Sequence, residues 1–179
     1  PYRVLAAPDG VRVYVSNWGA ATISVIEAAS GAVRATFNTG AHPSDMALDG
    51  RGRLFVTCSN TNSVYVHDAQ GGGVKEQISV ALHPRSPPGS TPNALALAPD
   101  GSRLLVANAD NNAVAVIALG DTESRVEGFI PTGWYPTALS ISPDGRRLYV
   151  ANGKGQGSLP NPRGPQADRP TTPETQYTP

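Results

Sequence analysis

The sequence has one cysteine, two lysines and few charged residues of either sign. Cys58 alone cannot form an intrachain disulfide, and a single thiolate does not supply the ligand set of a structural zinc site. Charged residues make up 16% of the 179 positions, well below the roughly 25% of an average soluble chain. Fourteen basic residues balance fourteen acidic ones, so no basic patch marks a nucleic-acid partner, and none is expected.

Long apolar runs are also missing. None approaches the roughly 20 residues that cross a bilayer, so we expect no membrane insertion. The sequence begins at Pro1 without an initiator Met or a basic-then-apolar leader, from which we expect truncation or processing. The sequence contains 19 Gly and 17 Pro. This high content of turn-forming residues favours an all-β fold.

Four segments share one pattern, in which an aromatic residue or Leu is followed by Val, a small residue and usually Asn. These tetrads are Tyr14–Asn17, Phe55–Cys58, Leu105–Asn108 and Tyr149–Asn152. Their first residues are spaced by 41, 50 and 44 positions, close to the roughly 40–45 residues of a four-stranded propeller blade. The repeat therefore predicts successive blades of a β-propeller.

The turn chemistry agrees with this repeat. Three tetrads are preceded by Pro-Asp-Gly, at Pro8–Gly10, Pro99–Gly101 and Pro143–Gly145, and the second repeat has Asp49–Gly52 in that place. Proline presets φ, Asp bonds its own downstream backbone and Gly accepts a positive φ, so the chain can reverse between antiparallel strands. We expect each of these turns to precede the second strand of a blade.

The predicted fold class is all-β: a partial β-propeller with about three four-stranded antiparallel blades, part of a fourth, and a disordered Pro/Gly-rich C-terminal segment. Second strands are predicted at Val11–Val15, Arg53–Thr57, Arg103–Ala107 and Arg147–Ala151. The predicted blades are about 1–38, 39–82, 92–131 and the start of the next at 132–152, within a partial propeller of 1–152. Residues 153–179 have few apolar side chains and are predicted to be a flexible insertion or linker.

The tetrads, the Pro-Asp-Gly turns and the Thr-Gly-x-x-Pro-Ser/Thr crossings at Thr39–Ser44 and Thr132–Thr137 together closely resemble the YVTN-type β-propeller repeat family. The resemblance covers about residues 2–152. Members form rings of usually seven blades, and the kin that match best are lactonase-like and YncE-like bacterial periplasmic or surface proteins. It implies that this chain holds about half a ring, that its partners are the remaining blades of the same parent chain, and that the protein is periplasmic or secreted.

A narrower resemblance rests on three segments, Gly133–Thr137, Tyr149–Gly155 and Asn161–Pro165. They look like the propeller portion of bacterial proteins that join a YncE-like propeller to a downstream alkaline-phosphatase-type phosphoesterase. This implies hydrolase activity in sequence beyond the present chain. No phosphoesterase metal ligand can be assigned within these 179 residues.

Within the chain itself we predict no catalytic residues, no metal site and no cofactor. The run Gly153–Ser158 is not a phosphate-binding loop, because Leu148 stands where such a loop needs Gly. The histidines His42, His67 and His83 have no metal-ligand spacing and are interpreted as isolated surface or rim residues.

Four other residues invite a chemical role that we set aside. Ser44 and Asp45 are sequence neighbours of His42, but a catalytic triad needs side chains that converge from different elements. Asp45 and Asp100 lack the spacing of a calcium loop, and turn capping explains Asp100. Cys58 replaces the tetrad Asn and is interpreted as a small buried apolar residue.

The candidate ligand-binding residues are His42, Trp134 and Tyr135, which occur in the loops that cross from one blade to the next. An exposed aromatic ring at a channel mouth can stack on a sugar, a base or a peptide, and it can equally wedge adjacent blades; Trp18 fits the wedging role better. We predict a non-catalytic binding or scaffold section of a larger, exported bacterial protein, with a small molecule or a protein as ligand. The alternative is a lactonase-like hydrolase with its site at the channel mouth.

Overall fold

A computed structural model describes residues 1–154, and its strands form four separate antiparallel sheets. The first sheet contains β1 (Val4–Ala6), β2 (Arg12–Asn17), β3 (Thr22–Glu27) and β4 (Val33–Asn38). The second contains β5 (Pro43–Leu48), β6 (Arg53–Cys58), β7 (Ser63–Asp68) and β8 (Val74–Ser79). The third contains β9 (Pro92–Leu97), β10 (Arg103–Asn108), β11 (Ala113–Ala118) and β12 (Arg125–Pro131). The fourth is a pair, β13 (Pro136–Ile141) and β14 (Leu148–Asn152).

Within each sheet the strands follow one another in chain order, so each sheet is a meander, and we call the sheets blades 1 to 4. The predicted fold class is confirmed: residues 1–154 are all-β, with three complete four-stranded blades and two strands of a fourth. The predicted C-terminal segment lies outside the described residues from position 155 onward. No helix within residues 1–154 has the length and apolar character needed to cross a membrane.

The four tetrads occupy the same place in the four sheets. Each forms the end of a second strand, and its first residue pairs with the inner strand of the same blade. The pairs are Tyr14 with Leu5, Phe55 with Ala47, Leu105 with Ala96, and Tyr149 with Ser140. The sequence repeat is therefore a repeat of strand position, which fixes the register of every blade.

The turns before these strands have the expected conformation. Gly10, Gly52, Gly101 and Gly145 have φ values of 69°, 75°, 68° and 70°, a region that side-chain-bearing residues rarely adopt. Inner strands β5, β9 and β13 each begin with proline, a position where the missing amide removes no internal ladder bond.

The second strands run one or two residues further than predicted, because the tetrad Asn still pairs with the third strand. Asn17 pairs with Thr22, and Asn108 pairs with Ala113. The chain reverses only after this pair, through Ala21, Asn62 and Asn112, which have φ values of 53°, 51° and 51°.

The core lies between the blades. One cluster joins blades 1 and 2 and includes Tyr14, Phe37 and Leu54, and another joins blades 2 and 3 through Phe55 and Leu104. Burying a large apolar side chain stabilises a fold by about 1.5–3 kcal/mol. Blade stacking is therefore the main source of stability that the structure shows.

One histidine does not lie where the sequence suggested. His67 is fully buried rather than a surface or rim residue. Its Nδ1 lies 3.1 Å from the Gly72 carbonyl oxygen and its Nε2 lies 3.1 Å from Thr39 Oγ1, so both ring nitrogens have partners. The alternation in β7 places His67 on an inward position, and these two hydrogen bonds make its burial tolerable.

Candidate ligand-binding face

The loops that enter a blade and the loops that follow its second strand lie at the same end of the molecule. The carbonyl oxygen of His42 accepts a hydrogen bond from the Ser59 amide at 3.0 Å, just after the second strand of blade 2. In blade 4 the Tyr135 carbonyl accepts from the Gly153 amide at 2.8 Å, and Thr91 makes the same kind of bond in blade 3. The predicted residues of the blade-crossing loops therefore lie at one end of the propeller.

Three residues in these loops have an unusual backbone. His42, Thr91 and Tyr135 each precede the proline that begins an inner strand, and their φ values are 56°, 48° and 59°. A left-handed conformation costs a residue with a side chain about 1–2 kcal/mol. It recurs in all three described blade crossings, so the strain belongs to the crossing itself and is not by itself a mark of function.

Trp18 and His42 form a stacked pair across the boundary between blades 1 and 2. Their ring centroids are 3.8 Å apart and the planes differ by 7°. Trp18 follows β2 in a short 3-10 turn, Trp18–Ala20, and keeps 43% of its surface exposed. Trp18 therefore does pack between blades, as predicted, while it presents part of its ring to solvent.

Trp134 and Tyr135 form a second aromatic group, at the crossing into blade 4. Trp134 is 44% exposed, and the Lys154 ammonium group lies 5.1 Å from the centre of the Tyr135 ring. The Tyr135 amide donates to Oδ1 of Asn112 at 2.8 Å, which anchors the loop to blade 3. Burial raises the pKa of Tyr135, and Asp110 raises it further, so its hydroxyl stays protonated and able to donate.

Tyr2 lies beside the first aromatic group. It lines a hollow of about 540 Å³ together with Asn17 and Trp18. Tyr2 is 64% exposed. Tyr2 is not among the candidate residues predicted from the sequence. We call the exposed surface formed by Tyr2, Trp18, His42, Trp134 and Tyr135 the aromatic face.

A carboxylate connects blades 1, 2 and 3. Asp45 Oδ1 accepts from Arg3 Nε at 2.9 Å, and its Oδ2 accepts from the Leu95 amide at 3.0 Å. Arg3, Asp45 and Leu95 belong to blades 1, 2 and 3 respectively. Burial raises the pKa of Asp45. Its oxygens are used to tie blades together, which is a structural role that no local motif in the sequence indicated.

Ser44 and His42 are not brought together. The Ser44 hydroxyl is buried, donates to the Pro92 carbonyl at 2.9 Å and lies 3.0 Å from Thr57 Oγ1, while His42 stacks on Trp18. Ser44 therefore has a blade-joining contact and no general base beside it.

Cys58 is buried, and burial raises the pKa of its thiol to about 11. At neutral pH the thiol is protonated and unreactive. No group of three or more His, Cys, Asp or Glu side chains that could hold a metal ion occurs among residues 1–154.

Meandering four-stranded sheets that stack through their faces define a β-propeller. A family model, the seven-bladed β-propeller lactonase, matches residues 52–157, which is more than half of the chain. The chain belongs to this lactonase family of seven-bladed β-propellers. No curated protein matches the chain.

Solved structures with the same fold include hydrazine synthase from Kuenenia stuttgartiensis, at 26% identity and a TM-score of 0.74 over 85% of this chain and 42% of that one. A putative 6-phosphogluconolactonase from Bacteroides fragilis has 18% identity and a TM-score of 0.73, over 84% of this chain and 47% of that one. One from Bacteroides uniformis has 18% identity and a TM-score of 0.73, over 89% and 49%. This chain therefore spans about half the length of these structures or less.

Proposed function

We propose that the chain is a non-catalytic, ligand-binding section of a larger propeller and that recognition takes place at the aromatic face. The observation that carries this proposal is the exposure of several aromatic rings at the end where the blade-crossing loops meet. Rings that keep 43% and 44% exposure, as Trp18 and Trp134 do, offer flat apolar surfaces, and the nearby tyrosine hydroxyls offer hydrogen bonds. That chemistry suits a small ring-shaped ligand such as a sugar.

Tryptophan fluorescence tests this proposal without a label, because both tryptophans of the chain lie on the aromatic face. The chain is titrated with a panel of monosaccharides, disaccharides and aldonolactones. We expect a saturable change with at least one member. Tyr135→Ala should weaken that binding about tenfold, which corresponds to about 1.4 kcal/mol.

Tyr149→Ala is the matched control. Tyr149 is 54% exposed, but it lies on β14 and not on the aromatic face. Equal loss of binding in both variants, or the absence of any saturable response across the panel, would count against recognition at this face.

A lactonase-like hydrolase is the second candidate, and the family match is the observation that favours it. In that case Asp45, a carboxylate on the inner strand β5, would act as the base only after it leaves its contacts with Arg3 and the Leu95 amide. Hydrolysis of gluconolactone by the chain, measured with and without a chelator, tests it. If the chain hydrolyses gluconolactone and Asp45→Asn abolishes this activity, the function of this section is catalysis and not binding.

For the whole protein we propose an exported bacterial protein of the YVTN-type, YncE-like group, periplasmic or secreted, with an alkaline-phosphatase-type phosphoesterase downstream. The supporting features are the Thr-Gly-x-x-Pro crossings and the segments Gly133–Thr137 and Tyr149–Gly155. Reading the parent gene past Pro179 tests the downstream enzyme, because its metal-ligand residues must then be encoded there. Cell fractionation of the tagged parent protein tests the location.

A further inference from the structure

The crossing from blade 2 to blade 3 is longer than the other two described crossings. Residues 39–42 join blade 1 to blade 2 and residues 132–135 join blade 3 to blade 4, with four residues each, whereas residues 80–91 number twelve. In all three crossings the first amide donates to the carbonyl oxygen of the residue that precedes a third strand. The eight extra residues therefore lie between two ends that match those of the short crossings. We call residues 80–91 the long crossing.

The long crossing is held in place by a side chain, although most of it is exposed. Asn62 Nδ2 donates to the Pro87 carbonyl oxygen at 2.8 Å. Oδ1 of the same residue accepts from the amides of Gly89 and Ser90 at 2.9 and 2.7 Å. Residues 82–89 are largely exposed and include three prolines, which restrict the backbone further. This part of the crossing is therefore fixed in shape without contributing to the core.

On one side, the turn that ends in Asn62 connects the long crossing with the crossing that carries His42. The Ser59 amide donates to the His42 carbonyl oxygen at 3.0 Å. The Ser59 hydroxyl donates to the carbonyl oxygen of Pro92, directly after the long crossing, at 3.2 Å. The turn of residues 59–62 therefore lies between the long crossing and the first aromatic group, to which His42 belongs.

On the other side, a turn of blade 3 connects the long crossing with Tyr135. Asn111 Nδ2 donates to Ser90 Oγ at 2.9 Å. One residue later, Asn112 Oδ1 accepts from the Tyr135 amide at 2.8 Å. The long crossing thus lies between the two aromatic groups, with one turn of the chain on each side.

We propose that the long crossing divides the aromatic face into two subsites and thereby sets the length of the ligand that the face accepts. This inference rests on the proposed recognition of sugars at that face. The first subsite contains Tyr2, Trp18 and His42, and the second contains Trp134 and Tyr135. The two groups lie at blade boundaries two sheets apart, which corresponds to about 20 Å. A ligand that reaches from one group to the other therefore has to pass residues 82–89, whereas a short ligand binds one group alone.

The physical consequence is a loss of avidity for long ligands. A ligand that contacts two subsites gains affinity, because its second contact is intramolecular, and it loses this gain when the geometry forbids simultaneous contact. Both short crossings show that the fold connects blades with four residues. Residues 82–89 are therefore not needed to connect the blades, and their removal isolates their effect on recognition.

The test deletes residues 82–89, which leaves Val80, Ala81, Ser90 and Thr91 as a crossing of four residues. Cellobiose, maltose, cellohexaose and maltohexaose are titrated against the unaltered and the shortened chain by tryptophan fluorescence. In the unaltered chain we expect the disaccharide and the hexasaccharide of a series to bind with similar affinity. In the shortened chain the hexasaccharide should bind at least tenfold more tightly, with the disaccharide unchanged. Trp134→Ala in the shortened chain should remove this gain.

Asn62→Gly loosens the long crossing without shortening it. The substitution removes three hydrogen bonds, and glycine accepts the φ of 51° at this position. We expect the affinity for the hexasaccharide to rise about threefold. Ala21→Gly is the matched control, because Ala21 has a φ of 53° at the equivalent place in blade 1, and it should leave the ratio of the two affinities unchanged.

The shortened chain decides the question if it unfolds cooperatively in urea, and Asn62→Gly decides it otherwise. An unchanged ratio of hexasaccharide to disaccharide affinity in the deciding variant would overturn the inference and leave sugar recognition in place. Binding of aldonolactones alone would also overturn it, because the opened face would then still not accept a ligand that spans both groups. The absence of a saturable response to every sugar in every chain would remove the proposed function together with this inference.

Discussion

At the scale of single residues, different residue types adopt the same left-handed backbone conformation in the turns between second and third strands. Ala21, Asn62 and Asn112 all have a left-handed backbone at the same point of their blades. Asn tolerates this conformation, while alanine is strained in it. The Asn62 and Asn112 side chains also accept amide hydrogen bonds from the loop that enters the next blade. Ala21 is therefore strained in blade 1, and replacing it should stabilise the fold.

Ala21→Asn is expected to stabilise the chain by about 1 kcal/mol, because it relieves the strain that alanine bears at a positive φ. The measurement is the midpoint of urea unfolding. Ala20→Asn is the control, since Ala20 lies in the adjacent 3-10 turn and not at a positive φ. A midpoint that rises no more for the first variant than for the second would refute the strain argument.

His67 gives a prediction about pH. Burial lowers the pKa of its ring below the ordinary value, so the unfolded chain binds the proton more tightly than the folded chain does. The stability contribution of neutral His67 is therefore complete above about pH 6.5 and is lost as the pH falls below it. Urea unfolding between pH 7.5 and 5.5 should show this loss, and His67→Gln should reduce it. His83→Gln, at an exposed position, is the control variant.

At the scale of elements, the turn between third and fourth strands serves as the contact between blades. Gly31 and Gly72 occupy equivalent places in these turns. The amide of each donates a hydrogen bond of 2.8 Å to the carbonyl oxygen of the last residue of the third strand. Their φ values are 69° and 73°. Only Gly72 meets a neighbouring blade, at the Phe37 ring. Substitutions at Gly31 and Gly72 can therefore separate the cost of backbone strain from the cost of a steric clash.

Gly31→Ala is expected to cost about 1–2 kcal/mol, from the positive φ alone. Gly72→Ala should cost about 1–3 kcal/mol more, because its Cβ forces the Phe37 ring out of a packed position. Urea unfolding of both variants measures the difference. Equal losses of stability in the two variants would mean that the close approach of the turn to Phe37 does not contribute to the stability of the stacked blades.

At the scale of the whole molecule, the described part of the chain has an uncovered face on blade 1. Val4, Val11 and Val33 are 60%, 56% and 60% exposed, and Val4 pairs with Val15, which strand alternation places on the side away from Tyr14. Apolar patches of this kind on a soluble chain mark surfaces that associate. In a stack of blades such a face is the seat of a neighbouring blade.

We therefore expect the isolated chain to associate as its concentration rises. Light scattering coupled to size-exclusion chromatography should show a mass above that of one chain. The double variant Val4→Lys, Val11→Lys should lower that mass, whereas Arg34→Lys, at an exposed position on β4, should not. A sharp monomer peak for the unaltered chain at all concentrations would contradict this expectation.

The blade repeat can be predicted from the sequence, because turn chemistry and strand alternation act over a few neighbouring residues and recur along the chain. The positive φ of Gly10 and Gly101 and the placement of the tetrads follow from such local rules. The side-chain contacts between blades become visible only in the folded molecule. Trp18 stacks on His42, and Asp45 bonds the Leu95 amide. These contacts join residues 24 and 50 positions apart, and they depend on the angle and spacing between sheets, which no local pattern encodes.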